Sequence, residues 1–322
     1  LIPVYDWQKI PGTTALQKPS LPAEKELQKP GSMDFAGAVA NGKYGAVGFD
    51  FISPHDLLRA RKSWFFFDEE IVCLGAGITS ETYIPVVTTL NQCLLTGDVF
   101  AGSGEKERII SKGEHPLDST TWVYHNGIAY LFPTPPASVV LSNQAQTGSW
   151  YKVNRQADSP NTEISKDVFK LWIDHGRHID NAEYQYIVMP STNKEKTIAA
   201  SIHPKVEILS NTPDIQAVYH SELEMLQAVF YKTGEISAPD GIRIEMESPG
   251  IILLKSDNGI LRELSVADPL HKLRKIHFTI NRKLVFQSEK INIVWNEAKK
   301  ISEVSVELPQ SDFAGKSVTI IN

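Results

Sequence analysis

Residues 61–78 constrain this chain more than any other stretch. Trp64, Phe65, Phe66 and Phe67 follow one another between the basic Arg61 and Lys62 and the acidic Asp68, Glu69 and Glu70. Successive side chains of a strand point to opposite faces, so Trp64 and Phe66 share one face and Phe65 and Phe67 the other. Both faces are apolar, and such a strand needs a cover on each side. The pattern predicts that Trp64 and Phe66 are largely buried at the centre of a sheet. Carboxylates are not buried without partners, so 68–70 reads as a turn. The apolar run 71–76 has strand length, and Gly75 and Gly77 mark a bulge or a close backbone approach. The pair reads as the central antiparallel hairpin of a large β core.

The rest of the chain is punctuated in the same manner, with 19 prolines and 20 glycines among its 322 residues. Asn41-Gly42 and Asn126-Gly127 each lie between apolar runs. Asn-Gly favours the tight hairpin turn because both positions accept a positive φ. On this reading His125 sits in a turn, exposed to solvent. The stretches 34–39, 44–51, 86–95, 122–124, 128–132, 139–143, 148–154, 168–175 and 182–189 read as strands. Pro135 and Pro136 end the second hairpin, 23–27 fits one helical turn, and 56–60 is short enough to be helical. The polar stretches 155–166 and 191–205 read as long loops. Beyond residue 210 the strands shorten and recur at regular intervals, which indicates a second sandwich. The expected fold class is all-β: a large antiparallel β-sandwich over 1–210, then a smaller C-terminal β-sandwich over 211–322.

Several function classes are disfavoured at once. The net charge of −6 argues against a nucleic-acid partner, which needs a basic face. No apolar run reaches membrane-spanning length. Phosphate-loop, Gly-x-Ser-x-Gly and His-Glu-x-x-His patterns are absent. Cys73 and Cys93 lie in apolar strand-like contexts, as free thiols or as one disulfide, and fit no metal pattern. The chain opens at Leu1 with no initiator Met and no signal-like segment, and reads as the middle of a longer protein.

A few side chains remain as candidates for chemistry. Trp7, Trp150 and Tyr151 have ring faces that could stack on sugars. Asp174 and His175, with Arg177 and His178, form the densest polar cluster, suited to a sugar or a carboxylate. Tyr219-His220 are residue types used in base-catalysed elimination, but adjacent strand residues face apart. Asp34, Asp50, Asp68, Glu69 and Glu70 offer oxygen ligands for calcium, at a spacing that fits no known calcium loop.

Read together, several stretches resemble polysaccharide lyase family eight, which holds the chondroitin AC lyases, hyaluronate lyases and xanthan lyases. Val4-Tyr5-Asp6-Trp7-Gln8-Lys9-Ile10-Pro11-Gly12 looks like the entry to that family's β half. Lys62-Ser63-Trp64-Phe65-Phe66-Phe67 and Cys73-Leu74-Gly75-Ala76-Gly77-Ile78 are similar to its central strand pair. Thr88-Thr89-Leu90-Asn91-Gln92, Asp167-Val168-Phe169-Lys170-Leu171-Trp172 and Gln216-Ala217-Val218-Tyr219-His220 follow in the family's order. So does Ala267-Asp268-Pro269-Leu270. Asp34-Phe35-Ala36-Gly37 and Asp312-Phe313-Ala314-Gly315 bring the likeness nearest to the chondroitin AC lyases.

The resemblance implies an α/α toroid upstream, then a supersandwich and a small β-sandwich, of which this chain holds the two β parts. It places the catalytic Asn, His, Tyr and Arg in the toroid, so no catalytic position is carried onto this chain. It implies β-elimination on a uronic acid, a glycosaminoglycan substrate (chondroitin sulfate or hyaluronan), a periplasmic or secreted parent, and no cofactor beyond structural calcium in some relatives. This chain alone is expected to lack lyase activity, and Ile2, Tyr5 or Trp7 to contribute to an apolar patch where the toroid would sit. The rival readings are a stand-alone carbohydrate-binding module and a purely structural scaffold.

Overall fold

A computed structural model describes residues 1–20, 29–134 and 138–322. The helical turn expected at 23–27 and the prolines 135 and 136 lie outside the described residues. The described residues are 52% strand and 6% helix, so the fold is all-β, and the strands pair antiparallel. They fall into two compact units. One comprises 1–29, 79–184 and 189–202; the other comprises 30–78, 185–188 and 203–322. The second unit thus joins strands before residue 80 with everything from 203 onward.

In the first unit a five-stranded sheet runs in the order Thr14–Leu16, Val86–Leu94, Ile164–Gly176, Val139–Gly148, Glu114–Pro116. A second layer runs Ile128–Leu131, Trp122–His125, Val99–Ser103, Lys106–Ile109. Phe169 of the first layer meets both His125 and Tyr130 of the second, at ring separations of 4.4 and 6.3 Å. His125 is therefore buried, not exposed. It is the last residue of its strand, and the turn proper is Asn126-Gly127, so its ring points inward.

Two further expectations are corrected here. The stretch 148–154 is not a strand: Ser149 caps a short helix, Trp150–Val153, by accepting the Lys152 N–H. The stretch 191–205 is not a loop throughout, since Asn193 accepts the Lys196 N–H at 2.8 Å and starts the helix Lys194–Ile202. Short polar helices of this kind carry little apolar periodicity, so their caps are the only strong signal.

In the second unit the strands Ala36–Ala40, Gly45–Ile52, Arg59–Phe66 and Ile71–Ser80 lie side by side in that order. A six-stranded sheet runs Val206–Asn211, Ile215–His220, Met225–Phe230, Gly250–Asp257, Ile260–Ala267, Val318–Ile321. A five-stranded sheet runs Gly234–Ser237, Arg243–Met246, Lys275–Ile280, Ile301–Glu307, Ile291–Asn296. The last two sheets enclose a core that includes Tyr219, Phe230, Ile252, Phe278 and Val306.

The strand Arg59–Phe66 presents Ser63 and Phe65 to the six-stranded sheet. The Ser63 hydroxyl donates to Gln216 Oε1 at 2.5 Å, and the Tyr231 hydroxyl donates to the Lys62 carbonyl at 2.8 Å. Gly48 lies so close that a Cβ there would sit 2.6 Å from Val229. Only glycine permits that approach. At the hairpin end Phe67 packs on His220, whose Nε2 lies 3.6 Å from the buried Glu70 carboxylate. Glu70 is thus buried with a partner, while Asp68 and Glu69 stay in solvent.

The expected burial of Trp64 and Phe66 is overturned. Phe65 is 0% exposed, but Phe66 is 37% exposed and Trp64 half-buried. The two faces are unequal because the six-stranded sheet covers only the Ser63–Phe65 side. On the other side Phe66 stands opposite Gly45, which offers no side chain to pack against.

Phe65→Ala should therefore destabilise by about 3–5 kcal/mol, through lost transfer energy and a residual cavity. Phe66→Ala should cost roughly 1 kcal/mol or less. Denaturant unfolding of the two variants checks the ranking, and equal losses would contradict the packing described.

Lys62 gives a pH-dependent check. Its ammonium lies 5.3 Å from the Trp64 ring centroid, and burial pushes its pKa down to about 8. A lysine depressed on folding binds its proton more weakly in the native than in the unfolded chain. Its unfavourable contribution is complete below about pH 8 and vanishes as pH rises toward the ordinary lysine value. Lys62→Met should stabilise the protein at pH 7, and the gap to wild type should close by about pH 10. Unfolding measured across that range tests this, and a pH-independent gap would show that the ammonium is well solvated.

Candidate functional site

The sequence candidates Trp7, Trp150 and Tyr151 fall in the first unit, on segments that the fold brings side by side. Gly148 lies against the turn Ile2–Val4: a Cβ on it would sit 1.8 Å from the Pro3 carbonyl oxygen. The helix Trp150–Val153 starts two residues later. Gln146 donates to the Val4 carbonyl at 2.9 Å. Gln92 then fixes the next residues by accepting the Asp6 N–H at 2.8 Å and donating to the carbonyls of Asp6 and Lys9 at 3.0 and 2.8 Å.

This clamp holds an aromatic surface in solvent. Trp7 is 45% exposed, and Trp150 and Tyr151 are each 42% exposed. Tyr5 is half-buried with its ring 5.1 Å from that of Trp7. Ile2, Ile10 and Val153 are also exposed. Of the residues expected to form an apolar patch near the N-terminus, Ile2 and Trp7 are exposed and Tyr5 is half-buried against Trp7.

Beside it lies a charged cluster that no sequence motif announced. Lys9 and Lys170 approach the same Asp6 carboxylate at 3.5 and 3.3 Å, and both ammonium groups lie over the Trp172 ring, at 5.1 and 5.9 Å. Two cations share the Asp6 carboxylate against an aromatic face, and the Glu114 carboxylate also acts on Lys170. Burial holds the Lys170 pKa below the ordinary lysine range. The signal was nonetheless in the strand pattern: Lys170 and Trp172 are two residues apart on one face, and Lys170 stands opposite Gln92.

His175 is not part of this surface. It is half-buried, five residues beyond Lys170 and so roughly 17 Å further along the strand direction. Its Nε2 lies 2.8 Å from the Thr88 hydroxyl, which in turn lies 2.8 Å from Thr14, so the ring serves a buried polar chain. Tyr219 and His220 face apart: Tyr219 belongs to the C-terminal core and His220 packs on Phe67. Burial pushes the Cys73 thiol up to about 12 and the Cys93 thiol up to about 11, and neither is in a disulfide. Cys93 lies 3.7 Å from His125 Nδ1, but His125 Nε2 accepts the Thr96 N–H, so Nδ1 carries the hydrogen and is no base for the thiol.

Among the described residues no group of three or more His, Cys, Asp or Glu gathers as a metal site. The carboxylates considered for calcium turn to separate partners: Asp34 to Lys272, Asp50 to Arg61, Asp68 to Lys43 and Glu70 to His220. Their arrangement does not fit a shared ion. The surface around Trp7 can stack against a flat apolar ring face.

Comparison with known proteins adds a family relation. The model of the polysaccharide lyase family 8 super-sandwich domain matches residues 1–201, and that of the family's C-terminal β-sandwich domain matches 207–277. A chondroitinase AC of Pedobacter heparinus is 39% identical over 326 residues, covering 99% of this chain and 43% of its own length. A hyaluronate lyase of Thermasporomyces composti is 28% identical over 313 residues, covering 95% of this chain and 39% of its own length. A solved chondroitinase AC lyase, studied in complex with oligosaccharides, superposes with a TM-score of 0.85 at 38% identity, over 99% of this chain and 44% of that one. The chain thus spans less than half the length of these relatives.

The clamp on the N-terminal segment is open to test. Gln92→Ala removes its three hydrogen bonds to the Asp6 and Lys9 backbone, each worth about 0.5–1.5 kcal/mol net, and also the one it accepts from Gln146. Amide exchange at Asp6 should accelerate by at least about tenfold, and Trp7 fluorescence anisotropy should fall. Unchanged exchange would mean that other contacts hold the segment.

Proposed function

The chain belongs to polysaccharide lyase family 8, and on that footing we propose that it is the β-sandwich portion of an enzyme that cleaves chondroitin sulfate or hyaluronan by β-elimination. The observation that carries this reading is 39% identity to a chondroitinase AC across 99% of the chain. Elimination requires a neutralised uronate carboxylate, a base within reach of the C5 proton and a proton for the leaving oxygen. Those groups are proposed to lie in an α/α toroid, for which the relatives' additional length leaves room. The role proposed for this chain is to wall one side of the cleft. Its exposed rings at Trp7, Trp150 and Tyr151 suit contact with that domain or with sugar. The parent enzyme would act in the periplasm or outside the cell, where such polymers are met.

The exposed rings also favour a second reading, a stand-alone carbohydrate-binding module. One experiment separates the two. The purified chain is incubated with chondroitin sulfate and with hyaluronan, while the absorbance of unsaturated uronate is followed and binding is measured in parallel. No turnover is expected from this chain alone, since Tyr219 and His220 point into different surroundings. Restoration of turnover by a separately supplied upstream domain of a relative would support the lyase reading. Binding that is lost in Trp7→Ala, without any such restoration, would favour the module. Turnover by the chain alone, abolished by Tyr219→Phe, would overturn the division of labour.

A further inference from the structure

The first unit carries a second aromatic feature at the end of its five-stranded sheet. Gly176 stands opposite Val86, so the turn holding Arg177 and His178 emerges beside the segment 81–85. There Tyr83, 75% exposed, lies flat on His178, with ring centroids 5.1 Å apart and planes 8° from parallel. One face of the tyrosine is taken by the imidazole and the other faces outward.

The support for this pair is firm. His178 adopts a left-handed backbone, φ 49°, and its N–H donates to the Thr82 carbonyl at 2.9 Å. Its Nδ1 lies 3.1 Å from the Glu81 carbonyl oxygen, so Nδ1 carries hydrogen and Nε2 of the neutral ring is an acceptor. Asn181, φ 53°, donates its N–H to Thr79 Oγ1 at 3.2 Å, and Ser80 and Thr82 join hydroxyls at 3.0 Å. Non-glycine residues hold a left-handed backbone where surrounding contacts over-determine it. A freely rotating tyrosine would need none of this.

We propose that Tyr83, backed by His178, is a binding platform for one pyranose ring of an acidic polysaccharide, with the exposed Arg177 beside it for the carboxylate or sulfate. The ligand class rests on the function proposed above. An oriented, open ring face matches the apolar C–H face of a sugar, and a guanidinium matches a carboxylate or sulfate in a forked geometry. The platform is separate from the Trp7 surface: Lys170, at that surface, precedes Gly176 by six residues, or roughly 20 Å along the strand.

The test is calorimetric titration of the full chain with a chondroitin sulfate hexasaccharide, with the His178 ring followed by NMR. Wild type is expected to bind with a shift of the His178 resonances. Tyr83→Ala should weaken binding by about fivefold or more, and Tyr83→Phe by less than about twofold. Arg177→Gln should reduce the salt dependence of binding. Melting temperatures of all variants should match wild type, because these side chains are exposed. If Tyr83→Ala binds like wild type while Trp7→Ala binds weakly, the platform is refuted and the acidic-polysaccharide reading stands. If wild type binds neither chondroitin sulfate nor hyaluronan oligosaccharides, the platform is refuted, while the lyase reading is decided separately by the restoration of turnover.

Discussion

The hydroxyl of Tyr231 ties together the unit that contains the central hairpin. It donates to the Lys62 carbonyl, lies 3.0 Å from Ser63 Oγ and accepts the Phe49 N–H at 3.3 Å, while its ring lies 4.7 Å from that of Phe35. Burial pushes its pKa well above the ordinary tyrosine range, so it is a neutral hydroxyl at any physiological pH. Around it every close approach has a polar or steric reason. Gln216 accepts from Ser63, Gln227 donates to the Phe66 carbonyl at 3.3 Å, and Gly48 yields its space to Val229. Buried polar groups are costly unless paired; Tyr231, Ser63 and Gln216 pair with one another here, while the Gln227 amide oxygen is buried without a partner.

The sequence was legible where alternation dominates. The hairpin across 61–78, the Asn-Gly turns and the short strands beyond 210 all follow from period-two patterning and turn chemistry. It was less legible where partners decide. Nothing local distinguishes the Phe65 face from the Phe66 face, since both read as apolar. The difference arises from a sheet some 150 residues later in the chain, which supplies Gln216, Gln227 and Tyr231. The short strands Val99–Ser103, Lys106–Ile109 and Glu114–Pro116 were missed for a related reason. They are short, the last two are polar as well, and all three become strands because neighbours bond their backbones.

The candidate surface shows the same division. Exposed aromatics could be named from residue type alone, and Trp7, Trp150 and Tyr151 are exposed. The cations could not, because Lys9 and Lys170 are distant in sequence and meet only through Asp6 and the Trp172 ring. Histidines were hardest to place. His125, His175 and His220 all serve inside the fold, each held by a hydrogen bond or ring contact, whereas the exposed His178 supports an aromatic neighbour.

Strands 36–78 and the segment from 203 onward share one compact unit, although more than a hundred residues separate them in sequence. This bears on how such chains can be exchanged in evolution. A crossover near residue 205 keeps each sandwich contiguous in the gene, yet separates Ser63 from Gln216, Glu70 from His220 and Gly48 from Val229. A transplanted C-terminal segment would meet a foreign strand layer with the wrong donors and the wrong hollows. The two sandwiches are therefore inherited more safely together than shuffled, and a substitution at one of these positions changes which residues its distant partner can accept.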